Sequence, residues 1–193
     1  PFTTILGFLE LMEKDKDNPL SDKQKGFVRW VVDSCQKMLR MIDELLNISR
    51  LKTGKITLEP GFINVRFMGD KVFANLGPLA ATKGIALINE VGETTRIYAD
   101  PNLLGEVVQN LVSNAIKFSS SGDIITLFSP ENQPTSLAVK DTGVGISREQ
   151  MKNLFKLEEK TSTIGTAGES GTGFGLPFSM DIVKAHGGSL TVE

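Results

Sequence analysis

The stretch Glu106–Phe118, EVVQNLVSNAIKF, carries two different stripes at helical spacing, and the interpretation of the whole chain depends on it. Its apolar residues recur three and four positions apart, which predicts the buried face of a helix. The polar residues Glu106, Asn110, Asn114 and Lys117 are spaced four, four and three and form a second line along the same helix. Such a line is most often a solvated face, but asparagine is a poor helix former, and its amide oxygen suits a hard cation such as Mg²⁺. The stretch therefore predicts an amphipathic helix with Asn110 and Asn114 as candidate metal ligands.

A strand-like run that ends in glycines, LAVKDTGVGI at residues 137–146, is the second informative segment. Asp141 stands at the end of the predicted strand, and Gly143 and Gly145 follow it. A carboxylate in this position can accept a hydrogen bond from an exocyclic amine, and glycines let a planar group come close. An ordinary glycine-rich turn has the same pattern, so this segment alone leaves both interpretations open.

The third segment, GESGTGFGLPFSMDIVKAHGG at residues 168–188, is a glycine-rich loop that leads into a predicted helix. Free amides at a helix N-terminus and the positive end of the helix dipole favour phosphate. Two better-known phosphate loops are excluded, because the segment lacks Gly-Lys-Ser or Gly-Lys-Thr and its spacing is GxGxG instead of GxGxxG.

The N-terminal part of the chain has the pattern of two amphipathic helices joined by the polar segment DKDNPLSDKQ. Ser21 and Gln24 have the spacing of a capping box, which would start the second helix. From Val28 to Ser49 the apolar residues keep a three-four spacing, in a stripe that is wide enough for a four-helix core and includes Cys35 and methionines. Because two helices cannot bury this stripe alone, we expect a homodimer through the hairpin. Packing of the hairpin on the rest of the chain is the alternative.

The remainder of the chain mixes helical and strand patterns. Gly54 is a candidate C-cap of the second helix, and Asp100 with Pro101 has the pattern of an N-cap followed by the first helical residue. Helices are predicted over residues 66–84 and 99–119, and short strands over residues 56–65, 85–91, 96–100, 123–130 and 135–143. This mixture predicts an α+β fold with domains at residues 1–56 and 57–193.

Composition excludes several classes of protein. The net charge of -2 and the pI near 5.6 give no support to a nucleic-acid partner. Cys35 is the only cysteine among 193 residues, so there is no disulfide framework, and a reducing compartment is expected. No apolar run approaches the roughly 18 residues of a membrane span. We therefore expect a cytoplasmic fragment, with any membrane segment outside the chain as given.

The order and spacing of these segments resemble those of the sensor histidine kinases. Their ATP-binding part has the Bergerat-type fold of the GHKL superfamily, which gyrase, mismatch-repair and heat-shock chaperone ATPases share. EVVQNLVSNAIKF resembles the N box, DTGVGI the G1 box, Phe155 in MKNLFKLEE the F box and GTGFGL the G2 box. The N-terminal hairpin resembles the dimerisation and phosphotransfer domain. The resemblance implies an antiparallel helical hairpin, a four-helix bundle on dimerisation, followed by an α/β sandwich of the Bergerat ATP-binding type.

The resemblance also implies ATP and Mg²⁺ as cofactors and a role for each matching residue. Asn114, together with Asn110, would hold Mg²⁺ against the triphosphate, and Asp141 would take the adenine amino group. Lys117 and Glu106 are the candidate catalytic residues, Lys117 by contact with phosphate and Glu106 by orienting the attacking group. The remaining candidates are glycines that admit the base or wrap the phosphates, with one leucine beside them: Gly143, Gly145, Gly171, Gly173, Gly175 and Leu176. Residues 156–170 would form a mobile ATP lid.

His186 is the only histidine in the chain. In this family the phosphorylated histidine precedes the position that matches Pro1, so we expect the acceptor outside the chain as given. Gly187 suits the left-handed position after a helix, and a histidine there complements the helix dipole, which predicts that His186 is a C-cap. Leu103 stands where many relatives carry arginine, and Gly105 inside the N-box helix costs about 1 kcal/mol relative to alanine.

The sequence is therefore interpreted as the core of a two-component sensor histidine kinase. It would bind Mg·ATP, phosphorylate a histidine upstream of residue 1, and pass the phosphoryl group to an aspartate of a response-regulator receiver domain. This fragment alone is expected to bind nucleotide without autophosphorylation. Two alternatives remain open: a Bergerat-fold ATPase clamp with Glu106 as general base, and a catalytically degenerate kinase-like scaffold.

Overall fold

The chain divides into two compact units, Pro1–Ser49 and Arg50–Glu193. This computed structural model describes residues 2–52, 58–131, 133, 135–155, 164–169, 171 and 173–193. The predicted domain boundary at residues 56 and 57 stays a prediction, and the predicted C-cap Gly54 lies outside the described residues. In chain order the elements are α1 (Phe2–Lys14), α2 (Asp22–Lys52), β1 (Gly61–Asn64), α3 (Val65–Lys83), β2 (Ala86–Asn89), β3 (Arg96–Ala99), α4 (Pro101–Phe118), β4 (Ile124–Phe128), β5 (Ala138–Asp141), α5 (Arg148–Asn153) and α6 (Gly175–Ala185).

The first unit contains α1 and most of α2. The capping box is confirmed, since the Ser21 amide donates to Gln24 Oε1 at 2.9 Å and the Gln24 amide donates to Ser21 Oγ at 3.4 Å. Val28 and Cys35 are buried, but Met38 is 52% exposed and Ile42 is 42% exposed. Part of the predicted core stripe therefore remains on the surface of a single chain, and the expected homodimer stays a prediction.

The second unit carries two small sheets. In the first, β1 pairs antiparallel with β3. In the second, β4 lies in the middle, parallel to β2 and antiparallel to β5. With helices α3, α4 and α6 in the same unit, this confirms the predicted α+β class.

The core of the second unit lies between helices and strands. Helices α3 and α4 contact each other, while α3 also contacts β2 and α4 contacts β5 and α6. The core side chains with 0% exposure come from α3, the segment after β2, α4 and β4: Val65, Val91, Val112, Ile116, Ile125 and Leu127. Helix α4 is thus the central element, as the apolar stripe of Glu106–Phe118 predicts.

Local signals determine where the helices begin and end. Asn64 caps α3 by accepting a hydrogen bond from the Phe67 amide at 3.1 Å, and Gly84 ends α3 with φ of 70°. Pro78 lies inside α3 without ending it, because the packing on α4 and β2 outweighs one missing amide. Helix α5, which the sequence pattern did not predict, starts with a capping box of Ser147 and Gln150. Over the described residues, no helix is both long and apolar enough to cross a membrane.

Candidate nucleotide-binding site

Helix α4 begins at a rigid cap. Asp100 accepts hydrogen bonds from the amides of Asn102 at 2.9 Å and Leu103 at 3.2 Å, and its second oxygen accepts from the Glu59 amide at 3.0 Å. Burial raises the pKa of the Asp100 carboxyl, but these three amide donors outweigh it and lower the pKa below its ordinary value. The predicted N-cap is confirmed, and Pro101 occupies the first turn.

The middle of α4 contacts the start of α6. Asn110 Nδ2 donates to Ser179 Oγ at 2.8 Å, and Ser179 is 0% exposed. Gly175 lies against the same amide group, since a Cβ at this position would overlap Asn110 Oδ1 and lie 2.9 Å from Asn110 Cγ. Asn110 and Gly175, which the sequence assigned to separate motifs, are therefore neighbours, and only glycine fits beside the amide.

The other end of α4 contacts the loop that follows β5. Asp141 is exposed, and its Oδ1 accepts from the Gly143 amide at 3.0 Å. A Cβ at Gly143 would lie 2.5 Å from the Phe118 carbonyl oxygen and 2.9 Å from Ser119 Oγ, and the Val144 amide donates to that carbonyl at 3.1 Å. Gly143 is therefore needed for close approach to α4, and Asp141 is held beside the end of that helix.

A turn of residues 164–169 also packs on the end of α4. The Thr166 amide donates to the Lys117 carbonyl at 3.0 Å, and Thr166 Oγ1 donates to the Ser119 carbonyl at 2.5 Å. Residues 156–163 and 170 of the predicted ATP lid lie outside the described residues. The part that the structure describes is hydrogen-bonded to the end of α4, and the mobility of the lid stays a prediction.

The other predicted site residues lie on or near these elements. Asn114 is half-buried one turn after Asn110, and its side chain makes no hydrogen bond to another described residue. The Lys117 ammonium lies 4.6 Å from the centre of the Phe118 ring. Gly145 and Gly173 have φ of 70° and 82°, the left-handed region that glycine tolerates. Leu176 is half-buried in the first turn of α6, Gly171 is half-buried in the loop before it, and Phe155 follows α5.

Glu106 lies at the surface of α4, one turn before Asn110. Partial burial of its carboxyl raises its pKa, and the negative charge of Asp100 raises it further. A carboxyl whose pKa is raised is a better proton acceptor than an ordinary one. This property fits either of the roles that the sequence left open for Glu106.

His186 ends α6, and Gly187 follows with φ of 75°, so the predicted C-cap is confirmed. The side chain does more than the sequence indicates. Nδ1 lies 2.8 Å from the Ile182 carbonyl and donates to it, while Nε2 accepts from the Asp100 amide at 3.0 Å. Because Nε2 is an acceptor, the ring in this geometry is neutral, so the predicted charge interaction with the helix dipole is replaced by two hydrogen bonds.

The donors near α4 fit a magnesium nucleotide. Asp141 has an exposed carboxylate, and its Oδ2 has no hydrogen-bond partner among the described residues. Ser119 Oγ is fully buried beside Gly143, and it has no hydrogen-bond partner among the described residues. An amide oxygen at Asn114, a carboxylate at Asp141 and glycine amides before α6 form a donor set of the type that binds Mg²⁺, a purine and phosphates.

Sequence reasoning missed several residues that the structure brings to this region: Lys83, Thr166, Glu169 and Ser179. Ser179 has a detectable signal, because it lies four residues after Gly175 on the face of α6 that contains Phe178 and Ile182. Lys83 has none, since a lysine followed by glycine is an ordinary helix ending.

Comparison with known families agrees with this arrangement. Residues 1–54 match the His Kinase A (phospho-acceptor) domain. Residues 99–193 match the family of Histidine kinase-, DNA gyrase B-, and HSP90-like ATPases. The two matches follow each other in the order that the sequence motifs predict.

Curated relatives match the whole chain. It is 29% identical over 200 residues to the sensor histidine kinase GacS of Pseudomonas protegens, covering 100% of this chain and 22% of that protein. It is 26% identical over 197 residues to the circadian input-output histidine kinase CikA of Synechococcus elongatus, covering 100% of this chain and 26% of that protein. The chain thus spans about a quarter of the length of these relatives. They do not favour an ATPase clamp or a degenerate scaffold.

Solved structures share the fold. The complex of full-length ShkA with AMPPNP superposes with a TM-score of 0.72 at 23% identity, over 97% of this chain and 38% of ShkA. The complex of histidine kinase ThkA with the response regulator TrrA superposes with a TM-score of 0.58 at 22% identity, over 80% of this chain and 45% of that one. With its motifs, its fold and both family matches in agreement, the chain belongs to the histidine kinase family, as a catalytic core of the GHKL superfamily with a phospho-acceptor part and an ATPase part.

Proposed function

We propose that this chain is the ATP-dependent catalytic core of a two-component protein-histidine kinase. The observation that carries the proposal is the contact of both predicted nucleotide segments with α4. Gly143 packs on the Phe118 carbonyl, and Gly175 packs on the amide of Asn110. One helix thus carries candidate ligands between a loop suited to a purine and a loop suited to phosphates.

Each side of the site has a distinct task in this proposal. Asp141 accepts the hydrogen bond of the adenine amino group, and Gly143 and Gly145 admit the ring. Asn114 and Asn110 provide amide oxygens for Mg²⁺, which when bound neutralises phosphate charge. Lys117 and the amides of the G2-box glycines, with Leu176 beside them, contact the phosphates: Gly171, Gly173 and Gly175.

Phosphoryl transfer depends mainly on positioning and on neutralisation of charge. The chain's residues supply the positioning, since the cap at Asp100 fixes the start of α4 and the contacts at Gly143 and Gly175 fix two loops against it. The phosphoryl group goes to a histidine outside these 193 residues, because His186 is the only histidine and its ring is committed to Ile182 and Asp100. Glu106 orients the attacking group.

Two partners follow from the same proposal. A second copy of the chain binds through the helical hairpin, because Met38, Ile42 and Leu46 of α2 are exposed in one chain although they belong to its apolar stripe. A response-regulator receiver domain then accepts the phosphoryl group on an aspartate. The complex of ThkA with its regulator supports this partner by similarity of fold.

Calorimetric titration of the 193-residue chain with ADP and ATP, each with and without Mg²⁺, tests the site. We expect binding that Mg²⁺ strengthens, and we expect Asn114→Ala to weaken it by about tenfold or more, because a ligand to a charged group is lost. Asn102→Ala is the matched control, since Asn102 is an exposed residue in the first turn of the same helix. Equal loss in both variants, or no binding by the unmodified chain, would refute the site.

Incubation with γ-labelled ATP tests the location of the acceptor. The chain should bind nucleotide and stay unlabelled, while a longer protein that contains the preceding histidine should acquire an acid-labile label. Acid-labile label on the 193-residue chain would contradict the assignment of His186 as a C-cap. Phosphate release by the longer protein, without phosphohistidine, would favour an ATPase clamp instead.

A further inference from the structure

Lys83, the last residue of α3, has a side chain that is only 11% exposed. Its ammonium lies 2.7 Å from the Ile116 carbonyl and 3.2 Å from the Lys117 carbonyl, and 2.8 Å from both Thr166 Oγ1 and Glu169 Oε1. A lysine is rarely buried to this degree unless it is paired. All four groups around this ammonium accept hydrogen bonds, so its burial is fully compensated.

The two carbonyls that Lys83 contacts belong to the last turn of α4. The carbonyls of this turn have no amide donor one turn later in the helix, and they form the negative end of its dipole. A buried cation at this point satisfies those carbonyls and stabilises the end of the helix. Lys83 therefore acts on the part of α4 that contains Lys117, a candidate phosphate ligand.

The carboxylate of Glu169 is the centre of the 164–169 turn. Its Oε2 accepts from the Ala167 amide at 2.9 Å, while the Glu169 carbonyl accepts from the Gly165 amide at 2.8 Å. Burial raises the pKa of this carboxyl, but the hydrogen bonds from Lys83 and from the turn outweigh it and lower the pKa. Glu169 is thus ionised and bound both to its own turn and to α3.

The same turn fits closely against α4. Gly165 is buried, and a Cβ there would lie 2.6 Å from Lys117 Cγ and 2.8 Å from the Lys117 carbonyl. Thr166 adds hydrogen bonds to the Lys117 and Ser119 carbonyls. The turn ends at Glu169, and Gly171 of the glycine-rich loop follows two residues later.

We infer that Lys83 and Glu169 are positioning residues, which anchor the 164–169 turn to the end of α4 and thereby set the glycine-rich loop against Lys117. The inference rests on the proposed function for its consequence, which is phosphate affinity. Neither residue contacts the nucleotide in this inference. They act through the Lys117 carbonyl and through the short connection from Glu169 to Gly171.

The first test is amide hydrogen exchange of the nucleotide-free chain. Lys83→Met and Glu169→Gln should accelerate exchange at the amides of Gly165, Thr166 and Ala167, while exchange at Val112 in the middle of α4 should stay unchanged. Lys71→Met is the matched control, because Lys71 lies on α3 with its ammonium over the exposed Phe67 ring. Unchanged exchange of the turn in both variants would overturn the anchoring. Faster exchange throughout α4 would overturn it as well, since it would mean general destabilisation.

The second test separates phosphate binding from base binding. Lys83→Met should weaken ADP binding about tenfold, equivalent to about 1.4 kcal/mol, and leave adenosine binding as in the unmodified chain. Glu169→Gln should act in the same direction, and the double variant should be no worse than Lys83→Met alone, because the pair works as a unit. Equal losses for ADP and adenosine would refute the positioning role. Failure of the unmodified chain to bind ADP would instead refute the proposed function, and with it the predicted effect of Lys83 on phosphate affinity. The anchoring of the 164–169 turn would then be decided by the exchange data alone.

Discussion

Replacement of Gly175 by alanine should destabilise the second unit through one contact. The added methyl would overlap Asn110 Oδ1 and lie 3.0 Å from Asn110 Nδ2. Gly175 has no positive φ, so alanine has no backbone strain at this position and would gain up to about 1 kcal/mol of helix propensity. Any loss of stability therefore comes from the collision with the Asn110 amide.

The magnitude follows from what the amide must give up. To make room, Asn110 must leave Ser179 Oγ, which accepts its hydrogen bond at 2.8 Å in a position with 0% exposure. Overpacking costs about 1–3 kcal/mol, and a buried polar group left without its partner costs about 1–3 kcal/mol. After the gain in propensity, we expect a net destabilisation of about 1–5 kcal/mol.

Urea denaturation without nucleotide, followed by circular dichroism, is the appropriate assay. Fluorescence of the single tryptophan is unsuitable, because Trp30 lies in the first unit. The decisive control is the background Asn110→Ala, which removes the colliding amide. In that background Gly175→Ala should leave the free energy of unfolding nearly unchanged. An equal decrease in both backgrounds would show that the added methyl collides with another group.

Three further substitutions test local features of α4 and α6. Gly105→Ala should stabilise the chain by about 0.5–1 kcal/mol in the same urea assay, because its Cβ would meet nothing within 4 Å; destabilisation would reveal a contact that the structure lacks. Asp100→Ala should cost about 1–2 kcal/mol at neutral pH through loss of the helix cap. Because folding lowers the pKa of Asp100, its contribution is present above the ordinary value of 3.8 and is lost as the pH falls through the folded pKa, so urea titrations at decreasing pH should show the gap to the variant closing. His186→Ala should cost about 1–2 kcal/mol by leaving the Asp100 amide without its acceptor, and exchange of that amide should accelerate; an unchanged rate would contradict the hydrogen bond from Asp100 to His186.

The elements of this fold that depend on neighbours in sequence were predictable. The cap at Asp100, the capping box at Ser21 and the left-handed Gly187 each involve groups within a few residues, and the structure has all three. The apolar stripe of Glu106–Phe118 likewise predicted the central helix, since helical periodicity alone defines a buried face.

The candidate site was predictable only as a set of segments. Spacing identified the segments that contain Asn110, Asp141 and Gly175, but the roles assigned to these residues remain proposals. Spacing did not predict that Gly175 would lie beside the Asn110 amide, or that Gly143 would lie on the Phe118 carbonyl. The sequence explains both glycines only through a ligand, and the structure gives each of them a packing reason as well.

Sequence by itself determined the order of the helices and strands other than α5, because periodicity and caps arise from residues that are close in sequence. Only the tertiary structure decided which distant groups meet: Lys83 with Glu169, and His186 with the amide of Asp100. Partners that are 86 residues apart are brought together by the packing of α3 and α6 against α4, and Lys83 and His186 each have, alone, the pattern of an ordinary helix ending. The physical reason is that hydrogen bonds within a helix depend on neighbouring residues, whereas a buried lysine or imidazole acquires its partners only after the core has formed.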